Sequence, residues 1–177
     1  SFCAYSHDGI HFKSYKEDIG PYYFRLFYHN NYYYAFAKHK HECGLLLRSS
    51  YFNTQFITGP KFINKIRHTA VLKIKNDLHL FYTKIGDKPE SIRYTKIKIN
   101  DSWEKWNICE GTVVLKPDFE YEGSNLPIEE SKPGMVKHKV NQIRDPCIYK
   151  EGKKIFLLYC IAGEKGIAIA EILSSLS

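Results

Sequence analysis

Methionine occurs once and tryptophan twice in 177 residues. No apolar run approaches the roughly 20 residues that a membrane-spanning helix needs, so no membrane partner is expected. There is no CxxC pair, and the five cysteines, Cys3, Cys43, Cys109, Cys147 and Cys160, are odd in number. A disulfide framework and a zinc site are therefore not expected, and unpaired thiols favour a reducing, cytoplasmic setting. His39, His41 and Cys43 alternate along one stretch but lack a fourth ligand at a usual spacing, so no metal is assigned. Cys147 and Cys160 fall in apolar strands, where cysteine is expected as a small core residue. No segment combines basic residues, glycines and stacking aromatics in the manner of a nucleic-acid module, so no nucleic-acid partner is expected. No cofactor motif is present, and none is assigned.

What the chain does contain is tyrosine (14) and phenylalanine (11), with 44% hydrophobic residues overall. That composition favours strands around a real core. The net charge of +7 comes largely from lysines alternating with apolar residues, as in Val71-Leu72-Lys73-Ile74-Lys75 and Lys96-Ile97-Lys98-Ile99. Such alternation predicts edge or outer strands with a solvated lysine face.

The chain also repeats itself. Asn76 to Lys84 lines up with Asn30 to Lys38, an offset of 46. Arg67-His68 and Arg144-Asp145 each precede an apolar run ending in a tyrosine 15 residues after the arginine, Tyr82 and Tyr159. Each tyrosine is followed by Gly-acid, Gly86-Asp87 and Gly163-Glu164. Short strands repeating with a period in the forties predict propeller blades. The first unit reads as strands from Tyr22 to Tyr28, Tyr32 to Ala37, Gly44 to Ser49 and Gln55 to Ile57, with Gly59-Pro60 as a break. The second turns at Asn76-Asp77 and takes its fourth strand from Trp106 to Leu115. The third runs from Cys147 to Ile172 around Glu151-Gly152.

Ser6 to Phe12 matches Ser50 to Phe56 at an offset of 44, so the chain is expected to enter on the third strand of a blade and to be N-terminally incomplete. The expected architecture is one all-β domain over 1–177, a partial β-propeller of three to four blades. Its units are about 1–20 (partial), 21–63, 64–115 and 143–173, with an irregular insertion at 116–142. Sheet edges left open would be covered, by a homo-oligomer among other means.

A propeller lines its central channel with first strands. Tyr22, His68 and Asp145 should therefore share the channel mouth, with Arg67 and Arg144 one residue earlier. Pro146 should hold Asp145 extended. The Gly86-Asp87-Lys88-Pro89-Glu90 and Gly163-Glu164-Lys165 turns should bring Asp87, Glu90 and Glu164 to the same face. The insertion is open to two readings, a functional loop or a solvated one.

Ile143-Arg144-Asp145-Pro146, followed by a strand ending Leu157-Leu158-Tyr159, resembles the Arg-Asp-Pro motif of the five-bladed propeller glycosidases, the clan of invertases, levansucrases, arabinanases and xylosidases. Tyr5-Ser6-His7-Asp8-Gly9-Ile10-His11-Phe12 is similar to that clan's recurrent Ser-x-Asp-Gly strand-pair signature. The segment from Arg67 onward resembles an uncharacterised glycosidase branch of the superfamily. The resemblance implies a five-bladed-type fold, a carbohydrate substrate and three carboxylates at the channel mouth, because protonating the leaving oxygen and attacking the anomeric carbon are separate tasks. It implies that Asp145 stabilises the transition state and that Glu122, in a Glu-Gly context, is the general acid. Arg144, Arg67, His68, Tyr22, Asp87, Glu90 and Glu164 would then bind substrate. The clan's first-blade aspartate has no counterpart, since Tyr22 and His68 occupy the equivalent positions. Non-catalytic carbohydrate binding and a protein-interaction propeller are the alternatives.

Overall fold

The computed structural model describes residues 1–40, 43–100 and 102–173. It is all-β, with four antiparallel sheets. β1 (Phe2–Tyr5) pairs with β2 (Lys13–Asp18). β3 (Tyr22–His29), β4 (Tyr32–His39), β5 (Cys43–Ser49) and β6 (Ile57–Asn64) follow in spatial order, as do β7 (Ile66–Ile74), β8 (Asp77–Lys84), β9 (Ile92–Lys98) and β10 (Thr112–Leu115). The last sheet is β11 (Arg144–Glu151), β12 (Lys154–Ile161) and β13 (Gly166–Glu171). Each sheet is a meander, and the first strands β3, β7 and β11 lie side by side, with β7 touching both of the others. Consecutive sheets stacked through their faces around shared first strands define a partial β-propeller.

Local chemistry sets the hairpins. Asn30 and Asn31 both adopt positive φ (45° and 62°), the pair of conformations that a two-residue type I′ turn demands and asparagine tolerates. The β7–β8 turn falls on Lys75-Asn76, one residue earlier than expected, with Asp77 already in β8. There Asp77 pairs with Lys96 and Lys98 across the strands at 2.9 and 2.8 Å. Those two lysines stand on β9, which is interior to its sheet rather than an edge. β6 is longer than expected and runs through Gly59-Pro60. It is the edge of its sheet, where a missing N–H costs no ladder bond. Conversely, only Thr112–Leu115 of the expected Trp106 to Leu115 strand is extended. Trp103–Lys105 forms a 3₁₀ turn instead, and its tryptophan lies over Gly59.

The middle sheet is buried on both faces, which is why β8 reads as an almost unbroken apolar run. Leu78, Leu80 and Tyr82 pack toward the preceding sheet with Phe27, Phe36, Leu46, Phe62, Trp103 and Trp106. Phe81 packs the other way, with Ala70, Ile92, Ile143, Leu157 and Tyr159. A third cluster (Ile19, Ala35, Ala37, Leu45, Leu47, Phe56) seats the N-terminal pair of strands, with Cys3 at its margin. Among the described residues, the far face of the last sheet has no such neighbour. Cys147 is therefore exposed and Cys160 only half-buried, against the expectation that both are core residues.

Candidate active site

The first strands carry the site because each is bulged at the same place. The β3–β4 register shifts between Tyr22 and Arg25, β7–β8 between Ile66 and Thr69, and β11–β12 between Arg144 and Cys147. A bulge re-aims the side chains at the end of a strand. Asp145 adopts φ +55° within its bulge, so Pro146 does not hold it extended; the extra residue of the bulge needs the left-handed conformation, which aspartate tolerates. Tyr23 adopts φ +60° in the corresponding bulge, an outlier for an aromatic residue.

These bulges bring His68 and Asp145 into contact through Nδ1 and a carboxylate oxygen, each side chain 26% exposed. The Tyr23 ring meets the His68 ring edge-on at 3.9 Å between centroids. Tyr22 is one ring further out: it stacks edge-on to Tyr23 at 5.2 Å and donates its hydroxyl to the Lys40 carbonyl. The aromatic neighbour of His68 is thus Tyr23, not Tyr22. Burial, then the cations Arg67, Lys38, Arg25 and Arg144, push the His68 imidazole down to about 4. A neutral ring that donates Nδ1–H to the Asp145 carboxylate satisfies both groups and leaves Nε2 as an acceptor.

Beneath this pair lies a buried ion network. Glu90 is fully buried and bridges two arginines, Arg67 Nε at 2.9 Å and Arg144 Nη2 at 2.8 Å. Arg144, itself fully buried, also reaches Glu164 at 2.6 Å and Gln142. Arg67 spends its other nitrogens on the insertion, donating to Ser131 Oγ and the carbonyls of Lys132 and Gly134. Insertion residues Ser131, Val140, Asn141 and Gln142 are buried. The stretch from 131 to 142 is thus anchored at both ends, while residues 132–135 and 137–139 between them are exposed; it caps the ends of two sheets and supplies carbonyls to a buried cation.

The turns divide. Glu90 and Glu164 converge on Arg144, whereas Asp87 is held bidentately by Arg93 of its own sheet at 2.8 and 3.1 Å. Glu122 is buried in a different neighbourhood. It accepts from the Tyr159 hydroxyl at 2.5 Å and from the Asp118 and Phe119 amides at 2.8 and 3.1 Å. Those bonds fix the first turn of the insertion against β12. Burial, then the Glu122 contact, push the Tyr159 hydroxyl well above its ordinary range.

Two residues that the repeat did not single out belong to the cluster. Tyr23 was hidden because a bulge displaces the facing residue by one position. Lys38 was hidden because it aligns with Lys84 and reads as a strand-end lysine. It is 3% exposed, with Nζ 5.5 Å from the centre of the Tyr23 ring. Among the described residues no three His, Cys, Asp or Glu side chains form a metal-binding group; His41 lies outside them.

No protein family profile matches the sequence. The chain is 34% identical, over 193 aligned positions, to uncharacterized protein R118 of Acanthamoeba polyphaga mimivirus. The alignment covers 97% of this chain and 52% of that protein, so the chain spans about half the length of this relative. Among solved structures, the chain overlaps the GH43 endo-arabinanase of Bacillus licheniformis with a TM-score of 0.47 at 11% identity, over 90% of this chain and 74% of that one. Arabinanase Arb43A of Bacillus subtilis overlaps with a TM-score of 0.47 at 10% identity (89% and 74%). The exo-β-1,3-galactanase 1,3Gal43A of Clostridium thermocellum overlaps with a TM-score of 0.45 at 11% identity (86% and 37%). The propeller-type arrangement itself is read from the sheet order and the shared first strands of this chain.

Proposed function

We propose that this chain forms part of a carbohydrate-active propeller in which Asp145 is the carboxylate offered to a sugar. One observation carries the reading. Asp145 stands in an Arg-Asp-Pro sequence where the first strands meet, partly exposed and held by His68, while the other candidate carboxylates are held by cations or buried. A carboxylate accepts two adjacent sugar hydroxyls, the His68 Nε2 accepts a third, and the Tyr23 ring supplies an apolar face for the pyranose or furanose. Arg67, Glu90 and Arg144 are the rigid floor that positions them.

Binding is the function this arrangement supports best. Hydrolysis is a second reading, favoured by the Arg-Asp-Pro context of Asp145. It needs a separate acid and a base or nucleophile. Glu164, 24% exposed and bound to Arg144, is the nearer candidate, because Glu122 is buried under Tyr159. The test is a glycan array and an aryl-glycoside panel applied to the protein and to Asp145→Asn. Binding without turnover, weakened about tenfold or more by D145N, is expected, since a charge-assisted hydrogen bond is worth roughly 1.5–3 kcal/mol. Binding that D145N leaves intact would overturn the placement of the site. Turnover lost in both D145N and Glu164→Gln would make the hydrolytic reading the correct one.

A further inference from the structure

Lys38 poses a question that sugar hydroxyls alone do not answer. Its side chain is 97% removed from solvent, because 3% remains exposed. An ammonium so placed normally has a carboxylate of its own. Among the described residues, no carboxylate lies within ion-pair distance of Lys38, and its Nζ stands over the Tyr23 ring instead. The carboxylates nearby are already spent. Glu90 serves Arg67 and Arg144, Glu164 serves Arg144, and Asp145 serves His68. Arg25, whose Nε donates to the Thr69 carbonyl, adds a further cation to the cluster. The mouth thus holds Arg25, Lys38, Arg67 and Arg144 against Glu90, Asp145 and Glu164, one positive charge in excess.

The cover over this ammonium is itself under strain. Tyr23 sits at φ +60° and is 39% exposed, with its ring beside the Lys38 ammonium and against His68. Backbone strain of this kind costs on the order of 1–3 kcal/mol, persists only where the surrounding structure holds it in place, and clusters at functional sites.

Resting on the carbohydrate reading, we infer that the ligand is an acidic saccharide, whose carboxylate or sulfate meets Lys38 Nζ beneath the Tyr23 ring. The sugar ring takes the Tyr23 face and its hydroxyls take Asp145, while the acidic substituent supplies the one negative charge the cluster lacks. Burial, followed by Arg67, already lowers the Lys38 ammonium below the ordinary lysine range, and an anion at this point reverses that cost. The overall charge of +7 draws such ligands in at long range.

Matched ligand pairs test this directly. Oligogalacturonate and its methyl ester share a shape and differ in charge, as do a sulfated disaccharide and its desulfated form. By calorimetry the protein should bind the acidic member of at least one pair about tenfold or more tightly than its neutral mate, the range of a single charge-assisted contact. Lys38→Met should remove that preference, and should melt no lower than the parent, because it deletes a desolvated charge. Lys38→Arg should keep part of the preference. If the Met variant does not fold, the matched pairs on the unsubstituted protein and the Arg variant still decide. Equal binding of acidic and neutral members, still sensitive to Asp145→Asn, overturns the role of Lys38 and leaves the carbohydrate reading standing. Absence of binding to every saccharide, neutral or acidic, overturns both.

Discussion

Glu90 is the residue on which the floor of the site depends. Two guanidinium groups converge on one fully buried carboxylate. Burial alone lowers Arg67 and the neighbouring Arg144 lowers it further, while Glu90 opposes both. Glu90→Gln leaves two buried cations facing each other, and removing one member of such a set costs about 3–5 kcal/mol. Urea unfolding of E90Q should show a loss of that size. His68 sets the pH response. Its folded value of about 4 lies below the roughly 6.5 of a free imidazole, so between those values the unfolded chain binds the extra proton. Stability is therefore complete above about pH 6.5 and falls as pH drops toward 4. His68→Gln should flatten the dependence of the urea midpoint on pH across that window. The same sign holds for Asp77 at lower pH. Its hydrogen bonds to Lys98, then Lys96, hold it down to about 2. Its contribution is thus present above about 3.9 and disappears toward pH 2, and Asp77→Asn should remove that part of the acid sensitivity.

At the level of the element, the decisive features are bulges and edges. A regular first strand would send the side chains of Arg67 and His68 to alternate faces in step with the rest of the strand. The bulge breaks that step, so the arginine turns under and the histidine turns to Asp145. Sequence spacing revealed the equivalence of the β7 and β11 bulges, because both carry an arginine followed by a polar residue. It did not reveal that Tyr23 rather than Tyr22 is the facing residue in β3, since two adjacent tyrosines offer no contrast. Pro60 misled for a related reason: proline stops a central strand but not an edge strand, and which strand is the edge is set by sheet order. Gly111 tests the pairing of the outermost strand. A Cβ there would lie 1.9 Å from the Tyr94 carbonyl oxygen. Gly111→Ala should force β10 away from β9 at a cost of about 1–3 kcal/mol, visible in the denaturation midpoint and in faster amide exchange of Thr112–Leu115.

Across the whole molecule, stability is shared through the faces between sheets rather than held within any one. The interface of the two four-stranded sheets contains both tryptophans, whereas the interface with the last sheet contains none. The two can therefore be followed separately. Leu157→Ala opens a cavity in the latter interface and should cost about 2–5 kcal/mol. Exchange should quicken first in β11 to β13 while tryptophan emission is retained, the behaviour of a locally unfolding unit.

The alternation of short aromatic strands, the Asn-Asn and Gly-bearing turns and the repeated arginine pairs were legible in the chain, because strand period and turn geometry are local properties. So was the meeting of His68 with Asp145, because a repeat in sequence becomes a rotation in space. What the chain could not disclose is which carboxylates are free. Glu90, Glu164, Asp87 and Glu122 look alike as acidic residues beside glycine or proline, yet each is claimed by a partner between 3 and 54 positions away: Arg93, Arg67, Arg144, Tyr159 or a nearby amide. Lys38 likewise looks like any surface lysine until its own sheet and the next close around it. Charge pairing and burial depend on distances through space, and folding alone creates those.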